Sequence, residues 1–287
     1  MGGISMWYDK YLQVYEKPFD AVSFGDIVSK VKVQLSAIQS DTPMVTVSVI
    51  AYNEERHLLA CLWALSELKS KYPIEIIGVD NDSRDQTAAI YQAVGLPYYT
   101  EKQHSCGFAR QCGLNHARGK YHVNVDADTL YPSTYVDNVI DVMEKNLDIV
   151  GVSTTWSYIP DAHHSRMGIF FYTHFRDFYL RLLSVKRPEL SVRGLVFTYR
   201  TELARQVGIR THIIRGEDGA LAFGLRRFGR LAFIRNKRVR AVTGYGTMSE
   251  SLWKSFLHRV NYQLKGIRRL FTKAKEYKDQ ESNLVKP

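Results

Sequence analysis

The feature that most constrains the fold is an alternation of strand and helix patterns between residues 44 and 126. Short runs rich in β-branched residues are typical of buried strands, and segments with apolar residues at helical spacing separate them. The predicted strands cover residues 45–50, 74–79, 97–100 and 121–125, and the predicted helices lie around 58–65, 87–94 and 108–117. This β-α-β-α order predicts an α/β fold built on a doubly wound, mostly parallel sheet.

Polar segments follow these strands, at the edge where open α/β sheets bind their ligands. The sequence has no G-x-G-x-x-G after the first strand and no G-x-x-x-x-G-K-S/T segment. Because these glycine patterns shape the phosphate loops of dinucleotide folds and P-loop NTPases, both classes are disfavoured. The arrangement indicates a nucleotide-binding half of a different type.

Two carboxylates, Asp126 and Asp128, follow the last of these predicted strands. Side chains at i and i+2 of a strand point to the same side, so the two groups are expected to converge where the strand ends. Paired carboxylate oxygens suit Mn2+ or Mg2+ bound against a diphosphate. A D-x-D triplet is common by chance, and the alternative is a solvated turn that caps the next helix.

Residues 168–183 are predicted to form an amphipathic helix. Its apolar stripe consists of Phe171, Phe175, Phe178 and Leu182. Its polar side consists of Arg176, Asp177 and Arg181. Packing of the stripe into the core is the favoured interpretation. The alternative is a contact with an anionic membrane surface.

Three regions are predicted along the chain. Residues 1–43 form a helical extension, whose aromatic side chains are expected to pack on the main domain or on a second subunit. Residues 44–245 form the main α/β domain, divided into 44–130 and 131–245. Residues 246–287 form an amphipathic helical tail with apolar residues on one face and Lys and Arg on the other.

Charge and composition limit the partners and the compartment. The net charge of +10 suits nucleic acid, anionic lipid or a phosphorylated ligand. Nucleic acid is not expected as a partner, because the tail separates its aromatic and basic residues instead of interleaving them. A sparse count of three cysteines, no signal peptide and no apolar run of 18 residues predict a cytoplasmic protein. Peripheral attachment at the inner face of the membrane stays open.

Five segments complete the functional pattern: 47–55 (VSVIAYNEE), 79–87 (VDNDSRDQT), 107–119 (GFARQCGLNHARG), 125–128 (VDAD) and 216–226 (GEDGALAFGLR). In this order and spacing the chain resembles family 2 of the GT-A-fold inverting glycosyltransferases, which use nucleotide-diphospho-sugars. The resemblance implies a UDP-sugar donor in preference to a GDP-sugar, a Mn2+ or Mg2+ cofactor, and a glycan or lipid-linked acceptor. It makes 44–130 the nucleotide-binding half and 131–245 the acceptor half.

The resemblance also implies roles for individual residues. The donor side would consist of Ala51, Tyr52, Glu54, Asp80, Asp82, Arg110 and Asp126. Asp126 and Asp128 would bind the metal, with Asp128 as the more direct ligand. On the acceptor side, Asp218 would be the general base, and Gly194 and Glu217 would contact the acceptor. The pKa of Asp218 is expected below neutrality, tuned by Arg215 and Glu217.

Departures from the family pattern narrow the activity. The chain lacks the Q-x-x-R-W motif of processive synthases, so transfer of a single sugar is expected. A nucleotidyltransferase would need a glycine-rich basic loop after the first strand, where residues 51–55 instead carry acids. The remaining alternatives are a catalytically inactive GT-A relative and a protein that binds membrane or nucleic acid through its basic tail.

Overall fold

A computed structural model describes residues 5–162, 164–213, 216–245 and 261. Its α-helices are α1 Gly25–Ile38, α2 Leu58–Ser66, α3 Thr87–Ala93, α4 Cys106–His116, α5 Tyr135–Lys145, α6 Arg166–Lys186, α7 Thr201–Val207 and α8 Glu217–Leu225. Its strands are β1 Val45–Ala51, β2 Ile74–Asp80, β3 Tyr98–Thr100, β4 Tyr121–Asp126, β5 Thr129–Leu130, β6 Ile149–Thr154, β7 Trp156–Tyr158, β8 Phe197–Arg200, β9 Arg230–Ile234 and β10 Ala241–Thr243. Short 3-10 turns cover Asp9–Gln13, Pro188–Ser191, Gly194–Val196 and Lys237–Val239.

The described residues form a seven-stranded central sheet in the order β3-β2-β1-β4-β8-β6-β9. Strands β1 to β4 pair in parallel, whereas β8 runs antiparallel to both β4 and β6. A smaller sheet has the order β5-β10-β7. The predicted doubly wound, mostly parallel α/β fold is therefore confirmed, with one antiparallel strand placed between the two halves of the large sheet.

The centre of the large sheet is covered on both faces. Every residue of β2 is buried, as is every residue of α2. Parallel strands covered by helices carry near-continuous apolar runs for this reason, and β1 has Val45, Val47 and Val49 with at most 1% exposure. Their burial is a large part of what stabilises the fold, at about 1.5–3 kcal/mol for each large apolar side chain.

The N-terminal extension packs on the main domain, which is one of the two positions expected for its aromatic side chains. The Tyr11 ring meets Trp63 of α2 edge-to-face at 5.3 Å, and its hydroxyl donates to Glu67 at 2.8 Å. The Tyr15 hydroxyl donates to the backbone carbonyl of Asp128 at 2.8 Å. The extension thus holds the turn that carries the second carboxylate of the D-x-D triplet.

The expected core packing of the α6 stripe is wrong. Its four members are exposed to solvent: Phe171, Phe175, Phe178 and Leu182. The helix instead buries Arg176 and Asp177, two residues assigned to its polar side that are 2% and 0% exposed. The same buried face includes Ile169, Thr173, Tyr179, Leu180 and Leu183. Periodicity located the helix correctly but not the face that turns inward.

A buried charge network explains this orientation of α6. The Arg176 guanidinium lies 3.8 Å from the centre of the Trp156 ring and donates to Asp177 at 2.8 Å. Asp177 also accepts from Arg240 at 2.7 Å. Breaking a buried ion pair is strongly destabilising, because loss of one partner leaves an uncompensated charge away from water.

None of the helices described here combines the length and apolarity that crossing a bilayer requires. The predicted tail, residues 246–287, lies outside the described residues except for Asn261.

Candidate functional site

The turns that follow β1 and β2 hold each other in place. Ser83 Oγ accepts a hydrogen bond from the backbone N–H of Asn53 at 2.9 Å, and Asn53 Oδ1 accepts from the N–H of Arg84 at 2.8 Å. Asn53 and Asp82 have positive φ angles of 54° and 60°. Such backbone conformations are strained in residues other than glycine and concentrate at functional sites. The two turns therefore form one preorganised edge of the sheet.

An open ridge of side chains lies on this edge. Tyr52 is 47% exposed and its ring lies 5.2 Å from that of His104. His104 Nε2 lies 3.7 Å from a carboxylate oxygen of the exposed Asp82. Sequence analysis selected Tyr52 and Asp82 but not His104, whose place depends on the fold of the loop that carries it.

Asn81, which separates the two acids of the second motif, anchors that loop. Its amide donates to the carbonyls of Glu101 and Gln103, each at 2.8 Å, and accepts from the N–H of Ser105 at 3.1 Å. Its own N–H donates to the carbonyl of Ala51 at 2.8 Å. The buried Asn81 thus sets the position of the His104 loop against the end of β1.

The two strand ends place two of the predicted donor-side residues inside rather than at the surface. Ala51 pairs in register with Asp80, and both are buried. Asp80 accepts from the N–H of Ser83 at 3.2 Å, so its carboxylate stabilises the second turn.

The D-x-D carboxylates lie at the end of β4 and in the turn that follows. Asp126 pairs in register with Ile50 of β1. The Asp128 carboxylate accepts from Thr129 Oγ1 at 2.9 Å, while its backbone carbonyl accepts from Tyr15. Backbone and side chain of Asp128 are thus fixed separately.

Electrostatics around Asp128 favour a cation. The pKa of its carboxyl is raised to about 6. Burial is the main cause, and the nearby negative charges of Asp126 and Glu54 contribute to the rise. The Glu54 carboxylate pairs with His57 Nδ1 at 2.7 Å. Because its charge also acts on Asp128, Glu54 lies on the same side of the site as Asp126 and Asp128. Within the described ranges, no three His, Cys, Asp or Glu side chains converge as metal ligands. The carboxylate oxygens of Asp126 and Asp128 are of the type that divalent ions prefer, and an ion bound there would need further ligands from outside the described residues.

Arg110 connects this metal-type pair to the predicted base. It is buried on α4 and donates from Nη2 to Asp126 at 2.9 Å. Its Nε lies 3.3 Å from Asp218 and 3.5 Å from Glu217. Burial alone would lower the pKa of Arg110, but the three carboxylates outweigh it and raise that pKa, so the guanidinium stays charged.

Gly194 gives this cluster its room. A Cβ atom at this position would lie 2.0 Å from Arg110 Nη2 and 2.5 Å from a carboxylate oxygen of Asp218. No side chain fits there unless the guanidinium moves away. The glycine selected from the sequence therefore packs directly against the charged cluster.

Asp218 lies in the first turn of α8, after Gly216 in a left-handed conformation with φ 102°. Burial raises the pKa of Asp218 to about 7, Arg110 opposes this rise, and Glu217 and Asp126 add to it. The expectation of a pKa below neutrality is therefore wrong, because desolvation outweighs the opposing charges of Arg110 and Arg193. Arg215 lies outside the described residues.

A buried polar column lies under the cluster and was missed by sequence analysis. The Tyr199 hydroxyl donates to Asn124 Oδ1 at 3.1 Å and contacts His122 Nδ1 at 3.0 Å. Burial, with Arg110 and Arg205 adding to it, lowers the pKa of His122 to about 3, so the imidazole is neutral. The available signal was polar residues at alternate positions, 122, 124 and 126, of a strand that is otherwise apolar.

Comparison with known sequences shows the family of this chain. The sequence model of glycosyl transferase family 2 matches residues 46–208, more than half of the chain. The chain belongs to glycosyl transferase family 2. It is 30% identical over 152 residues to the dolichyl-phosphate β-glucosyltransferase of Saccharomyces cerevisiae, a match that covers 47% of this chain and 43% of the yeast protein. The chain spans less than half of the length of the curated relatives it matches.

Solved structures share the fold of this family 2 chain. A mannosyltransferase from Pyrobaculum calidifontis, solved with GDP-mannose and Mn2+, aligns with a TM-score of 0.58 at 21% identity and covers 86% of this chain and 73% of that protein. TarS of S. aureus, solved with UDP, aligns with a TM-score of 0.54 at 15% identity and covers 77% of this chain and 65% of that protein. At these low sequence identities, the structural similarity establishes the fold alone.

Proposed function

We propose that this chain is an inverting, metal-dependent glycosyltransferase that adds one sugar from a nucleotide-diphospho-sugar to a hydroxyl of a glycan or lipid-linked acceptor. The observation that carries the proposal is the bridge made by Arg110. One buried guanidinium contacts Asp126 at the donor end and Asp218 at the acceptor end. The two substrates of a single displacement must meet over such a junction.

Asp218 acts as the general base. The acceptor hydroxyl oxygen forms a bond to the anomeric carbon, the bond from that carbon to the diphosphate oxygen breaks, and the hydroxyl proton passes to a carboxylate oxygen of Asp218. A base is most efficient when its pKa lies near the working pH, and the pKa of Asp218 is about 7. Glu217, buried beside it, orients the acceptor.

Asp126 and Asp128 hold the divalent cation, Mn2+ or Mg2+, which when bound neutralises charge on the departing diphosphate. The chain's own contribution is to present both carboxylates in a fixed orientation. Arg110 sets the position of Asp126, and Thr129 sets that of Asp128.

The ridge of Tyr52, Asp82 and His104 receives the nucleoside. An exposed aromatic ring next to an imidazole provides a surface on which a base stacks, and the Asp82 carboxylate accepts hydrogen bonds from ribose or base. The solved neighbours named with UDP and with GDP-mannose support a nucleotide-sugar donor. A UDP-sugar is the donor we favour, and the name of the yeast relative supports a lipid-linked acceptor.

Calorimetric titration with UDP and with GDP, each in Mn2+ and in EDTA, tests the donor site. We expect UDP to bind in Mn2+ and to lose its affinity in EDTA. Asp128→Asn should abolish the dependence on Mn2+, whereas Glu202→Asn, an exposed acid on α7, should preserve it. Failure of both nucleotides to bind in either condition would contradict the proposal.

A further inference from the structure

Helix α6 presents an extended apolar face to solvent. Seven of its large apolar side chains are between 38% and 76% exposed: Met167, Phe170, Phe171, Phe175, Phe178, Leu182 and Val185. The helix has 21 residues and is therefore roughly 31 Å long at 1.5 Å per residue. A contiguous exposed apolar surface of this extent marks a binding face, since single scattered residues would need no explanation.

The charges on the exposed side of α6 have one sign. Its exposed charged residues are Arg166, Arg181 and Lys186, and its single acid, Asp177, is fully buried. Lys and Arg flanking Phe and Leu on one helix face are typical of helices that lie in the plane of an anionic bilayer surface.

The N-terminal segment also exposes two large apolar side chains. Met6 and Trp7 are exposed, and Trp is enriched at membrane–water interfaces. Burial and Asp9 raise the pKa of the neighbouring Tyr8 hydroxyl, while the charge of Arg166 at the start of α6 opposes them. The Tyr8 hydroxyl is therefore within electrostatic range of the Arg166 charge.

The fold locks this orientation. Rotation of α6 to hide its phenylalanines would expose the network of Arg176, Asp177 and Arg240 and separate Arg176 from the Trp156 ring. The opposite face of α6 is thus fixed inward by this charge network together with the buried Tyr179, Leu180 and Leu183.

We propose that α6 is a peripheral docking face for anionic phospholipid, lying on the bilayer surface with its phenylalanines among the acyl chains and its bases at the headgroups. A second copy of the chain fits less well, because the basic rims of two such faces repel each other. The docking itself stands apart from the proposed function. It deepens that function in one respect, since an enzyme held at a bilayer meets a lipid-linked acceptor there.

Vesicle sedimentation of the full chain tests the proposal, with phosphatidylcholine alone and mixed with phosphatidylglycerol. We expect binding to the anionic mixture and at least about tenfold weaker binding of the Phe171→Glu, Phe178→Glu double variant, because buried apolar area and headgroup attraction are both lost. The matched control, Val33→Glu with Leu147→Glu, changes two residues that are 70% and 72% exposed elsewhere and should bind like the parent chain.

Three results would overturn the proposal. Parent-level binding by the Phe171/Phe178 variant would assign lipid affinity to the basic tail instead. A dimer that this variant converts to monomer would assign the face to a second copy. A melting temperature several degrees lower would mean that the chain itself covers the face. Titration with UDP and Mn2+ on the same variant keeps the proposed function separate, since nucleotide binding should be unchanged by a loss of vesicle binding.

Discussion

Two buried arginine clusters in this chain differ in their balance of charge. Arg110 faces three carboxylates, Asp126, Glu217 and Asp218, and the pKa of Asp218 rises to about 7. In the second cluster two arginines, Arg176 and Arg240, share the single carboxylate of Asp177. The first cluster therefore has more carboxylates than guanidinium groups. The second has more guanidinium groups than carboxylates, and it lies next to an aromatic ring.

This difference distinguishes a candidate functional site from a cluster whose role is structural. An excess of buried acid is unfavourable in the empty protein and becomes favourable when a cation or a proton arrives, as a catalytic centre requires. The α6 cluster has its carboxylate satisfied on both sides and its Arg176 stacked on Trp156. It fixes the orientation of a helix and has no group prepared for reaction.

The largest contrast should appear in turnover. Asp218→Asn should reduce sugar transfer by about 10²–10⁴-fold, because the acceptor proton loses its base. Donor binding by calorimetry should change little. Asp177→Asn should leave the turnover of the folded enzyme near the parent value. Parent-level turnover by Asp218→Asn would assign the base to another residue.

For the free energy of unfolding, the larger effect should come from a substitution in the Asp177 cluster and the smaller one from a substitution of Asp218. Asp177→Ala should lower the free energy of unfolding by about 3–5 kcal/mol, since it leaves the buried Arg176 and the half-buried Arg240 without a counter-charge. Denaturant unfolding measures this effect. Asp218→Asn should unfold at the same denaturant concentration as the parent or a higher one, because burial opposes the ionisation of Asp218. Equal destabilisation by the two changes would remove the distinction between the candidate functional site and the structural cluster.

Sequence reasoning succeeded where structure depends on local pattern. The strands β1, β2 and β4, and the two carboxylates at the end of β4 and just beyond it, follow from apolar runs and the turns that end them. It failed where distant contacts decide. The orientation of α6 depends on Trp156 and Arg240, which the pattern of α6 itself does not include.

The Arg110 cluster, the proposed catalytic site, shows the same limit. The motifs named Arg110 and Asp218, but their contact and the resulting pKa require two helices from different halves of the chain to meet. His104 was missed because its place depends on hydrogen bonds that tie Gln103 and Ser105 to Asn81 at the end of β2.

Gly194→Ala should disturb the catalytic cluster alone. The added methyl group would displace Arg110 or Asp218, and a misplacement of about 1 Å at reacting groups reduces turnover by about 10²-fold. Gly25→Ala is the matched control, because a Cβ there meets nothing within 4 Å. Transfer assays on both variants, with melting temperatures, separate displacement from unfolding. A Gly194→Ala enzyme with parent turnover would show that the position of Arg110 does not matter.

The smallest effect should be on the pH dependence of transfer, and only the catalytic cluster should produce it. The base must be ionised, so kcat/KM should fall by about tenfold for each pH unit below the pKa of Asp218 and level off above it. Because burial raises that pKa to about 7, the fall should begin near neutrality. Since Arg110 lowers the pKa of Asp218, the residual activity of Arg110→Gln should fall at a higher pH. A profile that stays flat down to the ordinary Asp value of 3.8 would contradict both the raised pKa of Asp218 and the difference in charge balance drawn between the two clusters.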